Sequence, residues 1–326
     1  MRKYTNQGNI SLALAVFLAQ DSYDHEEDVV SATTLLKPIR QTVLAKRVPQ
    51  EDRLVDIAGL ASSSIGTAIH DAIERAWKSE NLPELLSQLG YPPRVAKRVK
   101  VNPSKEDLDA GCIPVYMEVR SYREIEGVKI SGKFDFIGEG MVQDFKSTSV
   151  YTYMNQTNRK KYPLQGSIYR WLNPDIITDD SMMIHYIFTD WSGAKAKSEK
   201  DYPPSRLLSQ RFNLLSLPET EHFIRGRVRL LKQYMDAPES EIPECDDEEL
   251  WRKPTVWKYY KDKNKTNGRS TKNFDNKHDA FARFTDDGSS GAVREIKGQV
   301  VACKYCDAFP VCTQKDRLIA DGSLVI

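Results

Sequence analysis

Two aspartates and a lysine, Asp135, Asp144 and Lys146, lie close together near the middle of the chain. They belong to residues 128–146, VKISGKFDFIGEGMVQDFK, where apolar and polar residues alternate on either side of a glycine-bearing turn. The two-residue period of a strand predicts a β-hairpin with Asp144 and Lys146 on one face. Carboxylates bind hard cations such as Mg²⁺, and a neighbouring ammonium can contact water or a phosphate. The stretch is therefore a candidate centre for phosphodiester hydrolysis; a hairpin with a charged solvent face is the alternative.

Two elements upstream of the hairpin, a helix and a strand, must help to position these groups. Residues 65–77, IGTAIHDAIERAW, have helical periodicity and carry His70, a residue that by itself is more often capped or exposed than a metal ligand. The residues predicted to face the core are Ile65, Ile69, Ile73 and Ala76. Residues 113–125, IPVYMEVRSYREI, predict one strand that carries Glu118.

A second helix is predicted downstream of the hairpin. Residues 162–172, YPLQGSIYRWL, place Gln165 and Tyr169 four positions apart on one face. The residues predicted to be buried are Leu164, Ile168, Trp171 and Leu172. Residues 181–191 and 206–215 predict further strands, and 219–235 predict an amphipathic helix. Helices and strands are thus mixed along the chain, which predicts an α/β fold.

Four motifs, in this order along the chain, resemble those of the RecB-like branch of the PD-(D/E)xK nuclease superfamily. They are the G-x-x-x-H of Gly66 and His70, the G-x-x-D of Gly132 and Asp135, the D-x-K of Asp144 and Lys146, and the Q-x-x-x-Y of Gln165 and Tyr169. Phe134 stands where the superfamily name writes proline. The resemblance implies a restriction-endonuclease-like core, a mixed central sheet flanked by helices, with a helical N-terminal region and a C-terminal cysteine-cluster segment.

The resemblance also implies roles for these residues. His70, Asp135 and Asp144 are expected to hold Mg²⁺ or Mn²⁺, and Glu118 is a further candidate ligand, although edge strands also carry glutamate for solubility. Lys146 is expected to orient the attacking water or to stabilise the developing negative charge. Gln165 and Tyr169 are expected to support the catalytic residues.

The C-terminal segment carries three cysteines, Cys303, Cys306 and Cys312, at the spacing C-x2-C-x5-C. Four thiolates close a zinc site or an iron–sulfur cluster, and the spacing alone favours Zn²⁺. The segment resembles the terminal segment of AddB-type and CRISPR-associated RecB-like nucleases, which implies a [4Fe-4S] cluster. Those families take the fourth cysteine from before the histidine helix, where this chain has none. Cys245, in a context that resembles phage-type members, is the expected fourth ligand, and Cys112 is the other candidate.

Basic segments are candidate contacts for DNA phosphates, with a solvated loop or helix face as the alternative. The strongest candidates are Arg159, Lys160 and Lys161 before the second helix, and Trp257 and Lys258 in the C-terminal segment. Others lie in residues 94–105 and along the 219–235 helix, on Arg225, Arg229 and Lys232. Trp257, with Tyr259 and Tyr260, is expected to stack bases of a single strand.

Composition limits the class of protein. Lys and Arg number 47 against 46 Asp and Glu, so any contact with DNA must come from local patches rather than from bulk charge. The longest apolar run, residues 12–19, is too short to span a bilayer and has no signal-peptide cleavage site. Unevenly spaced cysteines indicate metal binding in a reducing compartment, so we expect a cytoplasmic protein, bacterial or in a phage-infected host.

These observations lead to one functional hypothesis with alternatives. We expect a metal-dependent deoxyribonuclease, an exonuclease acting on single-stranded DNA or DNA ends in recombination, repair or phage replication, with a recombination or replication protein as a possible partner. The alternatives are a structure-specific or single-strand endonuclease of the same fold and a catalytically inactive DNA-binding subunit. The expected segments are a helical region (1–110), the nuclease core (111–240) and the cluster-binding segment with its basic, aromatic insertion (241–326).

Overall fold

The computed structural model describes residues 3–20, 26 and 28–326, and helices and strands are mixed along them. The helices are α1 (Leu12–Ala19), α2 (Ala32–Leu35), α3 (Ile39–Arg47), α4 (Ala61–Trp77), α5 (Leu82–Gln88), α6 (Pro93–Ala96), α7 (Lys105–Asp109), α8 (Val150–Met154), α9 (Lys161–Leu172), α10 (Gly193–Ser198), α11 (Leu217–Tyr234), α12 (Lys277–Asp286) and α13 (Thr313–Ala320). The strands are β1 (Lys3–Thr5), β2 (Val29–Ser31), β3 (Leu54–Asp56), β4 (Val99–Val101), β5 (Ile113–Met117), β6 (Arg120–Ile125), β7 (Val128–Lys133), β8 (Phe136–Gly138), β9 (Met141–Thr148), β10 (Ser181–Phe188), β11 (Leu207–Asn213), β12 (Val256–Tyr260), β13 (Lys272–Phe274) and β14 (Ala292–Ile296). Within these residues, no helix combines the length and the apolar character needed to cross a bilayer.

Packing divides the chain into two compact units. The first comprises Met1–Lys37 and Leu54–Leu230, and the second comprises Pro38–Arg53 and Leu231–Ile326. Each unit is therefore built from two separate stretches of sequence. The division into segments at residues 110 and 240 follows chain order instead, and it remains a prediction.

A mixed six-stranded sheet forms the centre of the first unit, in the order β11-β10-β9-β8-β5-β4. The β9/β10 and β4/β5 pairs are parallel and the others are antiparallel. Helix α4 covers the face of β9 that carries Ser147, whereas Gly166 of α9 packs on Met182, the register partner of Val142, on the opposite face. The prediction of an α/β fold with a mixed central sheet flanked by helices is confirmed.

Two stretches predicted as single strands are each broken in two. Residues 128–136 form β7, which pairs with β2 and β6 in a separate three-stranded sheet, and then β8 of the central sheet. Residues 113–125 form β5 and β6, and Glu118 at the break has a φ of 54°. At both breaks the chain passes between the three-stranded sheet and the central sheet. The alternation of apolar and polar residues does not reveal where such a passage occurs. Asp135 and Glu118 therefore lie at strand ends rather than within strands.

Helix α4 faces the sheet through a stripe that shares only Ile73 with the predicted one. Ile65 is exposed, and no residue of α4 is fully buried, so the predicted Ile65/Ala76 stripe is wrong. The face that packs on the sheet carries Gly66, His70, Ile73 and Trp77. Gly66 and His70 make this face less hydrophobic than its neighbour. The apolar periodicity of the sequence therefore pointed to Ile65 and Ile69 instead.

Gly132 allows α9 to approach β7 closely. A Cβ at this position would lie 2.6 Å from Leu172 Cδ1 and 3.0 Å from the Tyr169 ring. We expect Gly132→Ala to lower the free energy of unfolding by about 1–3 kcal/mol, measured by urea denaturation, because the core cannot accept the added methyl without moving α9. Gly226→Ala is the matched control. Gly226 is exposed on α11 with no heavy atom near its Cβ position, so alanine there is expected to stabilise by about 0.5–1 kcal/mol. Equal stability of Gly132→Ala and the wild type would contradict this assignment.

The second unit contains a three-stranded antiparallel sheet, β13-β12-β14, packed against α12. A separate small core is formed by Leu250, Val300, Leu318 and Leu324. Tyr259 and Tyr260 are 0% and 5% exposed, so the prediction that their rings stack bases is wrong. The hydroxyl of Tyr259 donates to Asp287 Oδ2 at 2.8 Å, at the end of α12, and this hydrogen bond holds the ring inside the unit.

Candidate active site

The backbone of Phe145, in the middle of β9, organises the candidate site. Its N–H donates to Asp135 Oδ2 at 2.9 Å, and its carbonyl accepts from His70 Nε2 at 2.9 Å. Strand β8 pairs with β9 only over Met141–Gln143, so side chains take the place of a neighbouring strand at Phe145. The chain switch between β7 and β8 thus delivers Asp135 to the open edge of β9.

These hydrogen bonds determine which nitrogen of His70 can bind a metal ion. A carbonyl only accepts, so Nε2 must carry the proton. In the neutral ring the lone pair is then on Nδ1, which lies 3.5 Å from Asp135 Oδ2. Metal-binding histidines are commonly fixed in this way by a carbonyl on the other ring nitrogen. Gly66 lies one turn earlier on α4, where a Cβ would be 3.1 Å from Ser147 Oγ, so glycine allows the approach.

Glu118 completes a group of three metal-ligand side chains. One ligand atom each from His70, Glu118 and Asp135 lies within 4.8 Å of the others. The Glu118 N–H donates to the Asp135 carbonyl, and its carboxylate pairs with Lys133 at 2.5 Å. A left-handed backbone is uncommon for glutamate and is found most often where function or packing requires it. Here it places Glu118 at the junction of β5 and β6, beside Asp135.

Asp144 and Lys146 form a buried pair on the other face of β9. Asp144 is 1% exposed, and Lys146 Nζ lies 2.5 Å from its Oδ2. Neither Asp144 oxygen accepts a hydrogen bond in the described structure, so this ion contact is poorly aligned as a hydrogen bond. A buried carboxylate with unused lone pairs is costly unless a cation completes its surroundings.

The surroundings of Asp135 raise its affinity for a proton. Burial, reinforced by the charge of Asp144, raises the pKa of Asp135 to about 7. Burial by itself lowers the pKa of Lys146, but the charges of Asp144 and Asp135 outweigh it and the pKa is raised overall. Lys146 is therefore protonated at neutral pH, and the site gathers more negative charge than its own cations balance.

A cavity of about 660 Å³ lies in front of His70, Glu118 and Asp135. The charged residues that also line it are Asp71, Glu74, Arg120 and Lys133. Four carboxylates therefore face two cations, and both cations are in ion pairs, Lys133 with Glu118 and Arg120 with Glu26. Without a bound metal ion this cavity repels an anionic phosphate.

Gln165 and Tyr169 are brought together on α9 as the spacing predicts. Gln165 Nε2 donates to the Tyr169 hydroxyl at 2.8 Å, and Tyr169 lines the cavity. The pair therefore fixes the orientation of a phenol ring that lines the cavity. Their catalytic role remains a prediction.

Sequence reasoning overlooked two groups near β9. His185, the register partner of Phe145, stacks on its ring and bonds to Gln143 and Ser209. Burial lowers the pKa of His185 and keeps it neutral. Tyr162 lies close enough to Lys146 for the two charges to interact, and burial raises its pKa. Strand register reveals His185 and the packing of α9 reveals Tyr162, because neither residue belongs to a recognisable motif.

The basic candidates occupy different environments. Arg159, Lys160 and Lys161 are exposed just before and at the start of α9. Trp257 and Lys258 are half-buried on β12, and the Trp257 ring contacts Phe281. The arginines of α11 are engaged by acids within the first unit: Arg225 by Glu221 and Glu126, and Arg229 by Glu126. The basic stripe on α11 is therefore largely neutralised.

Four cysteines lie close together in the second unit. The charges of Cys303, Cys306 and Cys312 act on Cys245 together with burial, which raises the pKa of the Cys245 thiol to about 12. Cys245 is also fixed by Gln314, which bonds to both its N–H and its carbonyl. Among the described cysteines, no three sulfur atoms lie within 4.8 Å of one another. Cys112 lies in the first unit, at the turn before β5.

Arg40, which is 4% exposed, contacts this group of cysteines from α3. Its Nε donates to Cys312 Sγ at 3.4 Å, and its Nη1 donates to the Ile242 carbonyl at 3.0 Å. Glu239 pairs with the guanidinium and also accepts from the Thr313 N–H. A buried cation next to a sulfur atom stabilises thiolate charge.

The donor atoms at both sites fit the predicted groups. At the first, the buried Asp144 carboxylate, whose Oδ2 contacts Lys146, and the His70 Nδ1 lone pair are an oxygen and imidazole donor set suited to Mg²⁺ or Mn²⁺. At the second, tetrahedral zinc with Zn–S bonds near 2.3 Å would hold its sulfurs roughly 3.8 Å apart. Four thiolates are also the donor set of a [4Fe-4S] cluster, in which each thiolate binds a different iron atom.

Comparisons with known proteins do not identify a family for this chain. No protein-family model matches it, and no curated protein matches it. Among solved structures, that of SSO0001 is 17% identical with a TM-score of 0.39, and the match covers 68% of this chain and 87% of the other. A phage-related exonuclease from Haemophilus somnus 129PT is 17% identical with a TM-score of 0.28, covering 68% and 98%.

Proposed function

We propose that this chain is a metal-dependent deoxyribonuclease. The observation that carries the proposal is the grouping of His70, Glu118 and Asp135 at a cavity, next to the buried pair of Asp144 and Lys146. Three separated parts of the sequence supply these groups, and all of them converge on one segment of β9. A β-hairpin with a charged solvent face would not require these groups to lie together.

The residues have separable tasks in this proposal. His70, Asp135 and Asp144, with Glu118, would hold one or two Mg²⁺ or Mn²⁺ ions. When bound, the metal supplies an activated water and neutralises negative charge on the phosphate. Lys146 is protonated and is held by Asp144, so it stabilises negative charge that develops on the phosphate oxygens. The Phe145 backbone keeps Asp135 and His70 oriented, and Gln165 positions the Tyr169 hydroxyl at the cavity wall.

We propose an exonuclease acting on single strands or DNA ends, as the resemblance implies. The endonuclease alternative differs in its products, since an exonuclease leaves covalently closed circles intact. The inactive DNA-binding alternative is disfavoured because every proposed catalytic position holds a chemically competent residue. Arg159, Lys160, Lys161, Trp257 and Lys258 remain the proposed DNA contacts.

Cleavage of labelled DNA tests the proposed function. We expect the purified protein to degrade linear DNA with Mg²⁺ or Mn²⁺ and to be inactive in EDTA. Lys146→Ala is expected to lower the rate by about 10²-fold or more, the typical loss when one group that stabilises transition-state charge is removed. Lys197→Ala, an exposed lysine on α10, is the matched control and should cleave like the wild type. Intact linear and circular DNA in both metals, or an undiminished rate for Lys146→Ala, would refute the proposal.

We further propose that Cys245, Cys303, Cys306 and Cys312 hold a [4Fe-4S] cluster with a structural role. The resemblance of the C-terminal segment supports a cluster over zinc, and the packing of Cys245 and Cys303 on the small core of the second unit supports a structural role. An absorption spectrum and iron analysis of anaerobically purified protein distinguish the two metals. Stoichiometric zinc with a colourless protein would show that the spacing-based alternative is correct.

A further inference from the structure

We propose that Tyr4 and Phe17 form a base-stacking wall, so that the cavity accepts an unpaired nucleotide of a single DNA strand. This inference rests on the proposed nuclease function and specifies the form of the substrate. The two rings belong to β1 and α1 and line the same cavity as His70, Glu118 and Asp135. The sequence reasoning assigned no role to either ring.

Both rings are available for a ligand. Tyr4 is 38% exposed and Phe17 is 39% exposed, and neither makes a ring or cation–π contact with any residue that the structure describes. Large aromatic side chains in soluble proteins are usually packed or have a binding role, above all when they line a cavity. The faces of both rings are therefore accessible to a ligand in the cavity.

The backbone holds the two rings in place. Tyr4 lies in a parallel strand pair with Val55 as its register partner. Phe17 precedes Leu18, which is buried, and the Leu18 carbonyl accepts from Ser64 of α4 at 3.4 Å. Since α4 also carries His70, the segment that bears Phe17 and one of the proposed metal ligands are attached to the same helix. Stacking on a preorganised ring costs little conformational entropy.

The charge of the cavity determines what kind of contact a nucleotide can make there. Its lining presents four carboxylates against two cations that are already in ion pairs. A phosphate is therefore held through the bound metal ion, and the remainder of the nucleotide must bind through uncharged contacts. Aromatic rings provide such contacts for any base, without sequence preference.

The same reasoning favours single strands over duplex DNA. In a duplex both faces of each base are covered by its neighbours, and exposing one requires unstacking and unpairing. A base in a single strand offers its face at little cost. A volume of about 660 Å³ is within the ~300–1,000 Å³ range of sites that enclose one small molecule.

Binding of normal and base-free strands tests this inference. Lys146→Ala protein, which keeps the proposed metal ligands, is titrated in Mn²⁺ with a labelled oligothymidylate and with an abasic strand of equal length. We expect Tyr4→Ala and Phe17→Ala each to weaken oligothymidylate binding by about fivefold or more, from stacking energies of ~1–3 kcal/mol per base. Protein that retains both rings should bind the abasic strand more weakly than oligothymidylate. Neither ring substitution should change the affinity for the abasic strand. The Phe17→Trp variant should have the same affinity for oligothymidylate as the protein with Phe17.

Tyr91→Ala is the matched control, because Tyr91 is 54% exposed and does not line the cavity. It should change neither strand's affinity, and thermal melts should match for all of these exposed-ring variants. Equal effects of ring truncation on both strands, or no effect on either, would overturn the inference while leaving the nuclease proposal intact. Absence of DNA binding by Lys146→Ala protein together with absence of cleavage by the wild type would overturn both.

Discussion

Asp135→Asn is expected to abolish cleavage, lowering the rate by about 10³-fold or more, which corresponds to about 4 kcal/mol of transition-state stabilisation. Asp135 has the largest number of roles at the site. Its Oδ2 accepts a hydrogen bond from the Phe145 N–H and lies 3.5 Å from His70 Nδ1. Together with His70 and Glu118, Asp135 forms the group of side chains that could hold a metal ion. Asparagine keeps the shape and loses the charge that binds a divalent cation. Steady-state cleavage of a labelled single strand measures the effect.

Metal-dependent stability provides a second measurement of the same substitution. Mn²⁺ at about 100 times its dissociation constant should stabilise the wild type by about 2.7 kcal/mol, and the stabilisation should be absent in Asp135→Asn. Asp201→Asn, an exposed site, is the control and should retain it. If Mn²⁺ stabilises Asp135→Asn as much as the wild type, Asp135 is not a ligand.

Without metal, Asp135 is expected to make stability fall as pH rises. The pKa of this carboxyl is about 7 in the folded chain against an ordinary value of 3.8, so the unfolded chain releases its proton first. Deprotonation therefore favours unfolding progressively between about pH 4 and pH 7. Asparagine does not titrate, so in EDTA the variant should gain stability relative to the wild type across this range. If the free energies of unfolding of the two proteins change in parallel with pH, the raised pKa assigned to Asp135 is contradicted.

Cys245→Ser is expected to remove most of the bound iron and to destabilise the protein by about 3 kcal/mol or more, a modest share of what structural metals contribute. For a chain of 326 residues that is a fall of about 4 °C in unfolding temperature. The reason is the small core of Leu250, Val300, Leu318 and Leu324, against which Cys245, Cys303 and Phe309 pack. Four side chains bury little apolar surface, so the proposed cluster would supply part of the stability of this unit.

Cys112→Ser is the matched control, since it removes one thiol from the first unit and should change neither iron content nor melting. Iron analysis and differential scanning calorimetry measure both quantities. Loss of iron in Cys112→Ser with full retention in Cys245→Ser would reverse the assignment of the fourth ligand.

The sequence alone determined the helices and strands with clear periodicity and the order of the candidate motifs. The Gln165–Tyr169 hydrogen bond follows directly from helical spacing, and the shared face of Asp144 and Lys146 follows from the strand period. Both are local relations, set by the geometry of a single element. The mixed α/β architecture was likewise predictable, because it depends on which elements are present and in what order.

The tertiary structure decided everything that depends on how the chain changes sheets. Asp135 contacts the Phe145 peptide only because β7 ends before it, and Glu118 joins the group through a left-handed break between two strands. No period of two or 3.6 residues encodes such breaks, since they arise from long-range pairing. The orientation of α4 through Gly66 and the place of Tyr4 and Phe17 in the cavity wall depend on close packing between distant segments. Residue types thus specified the available chemistry, and packing specified which groups meet.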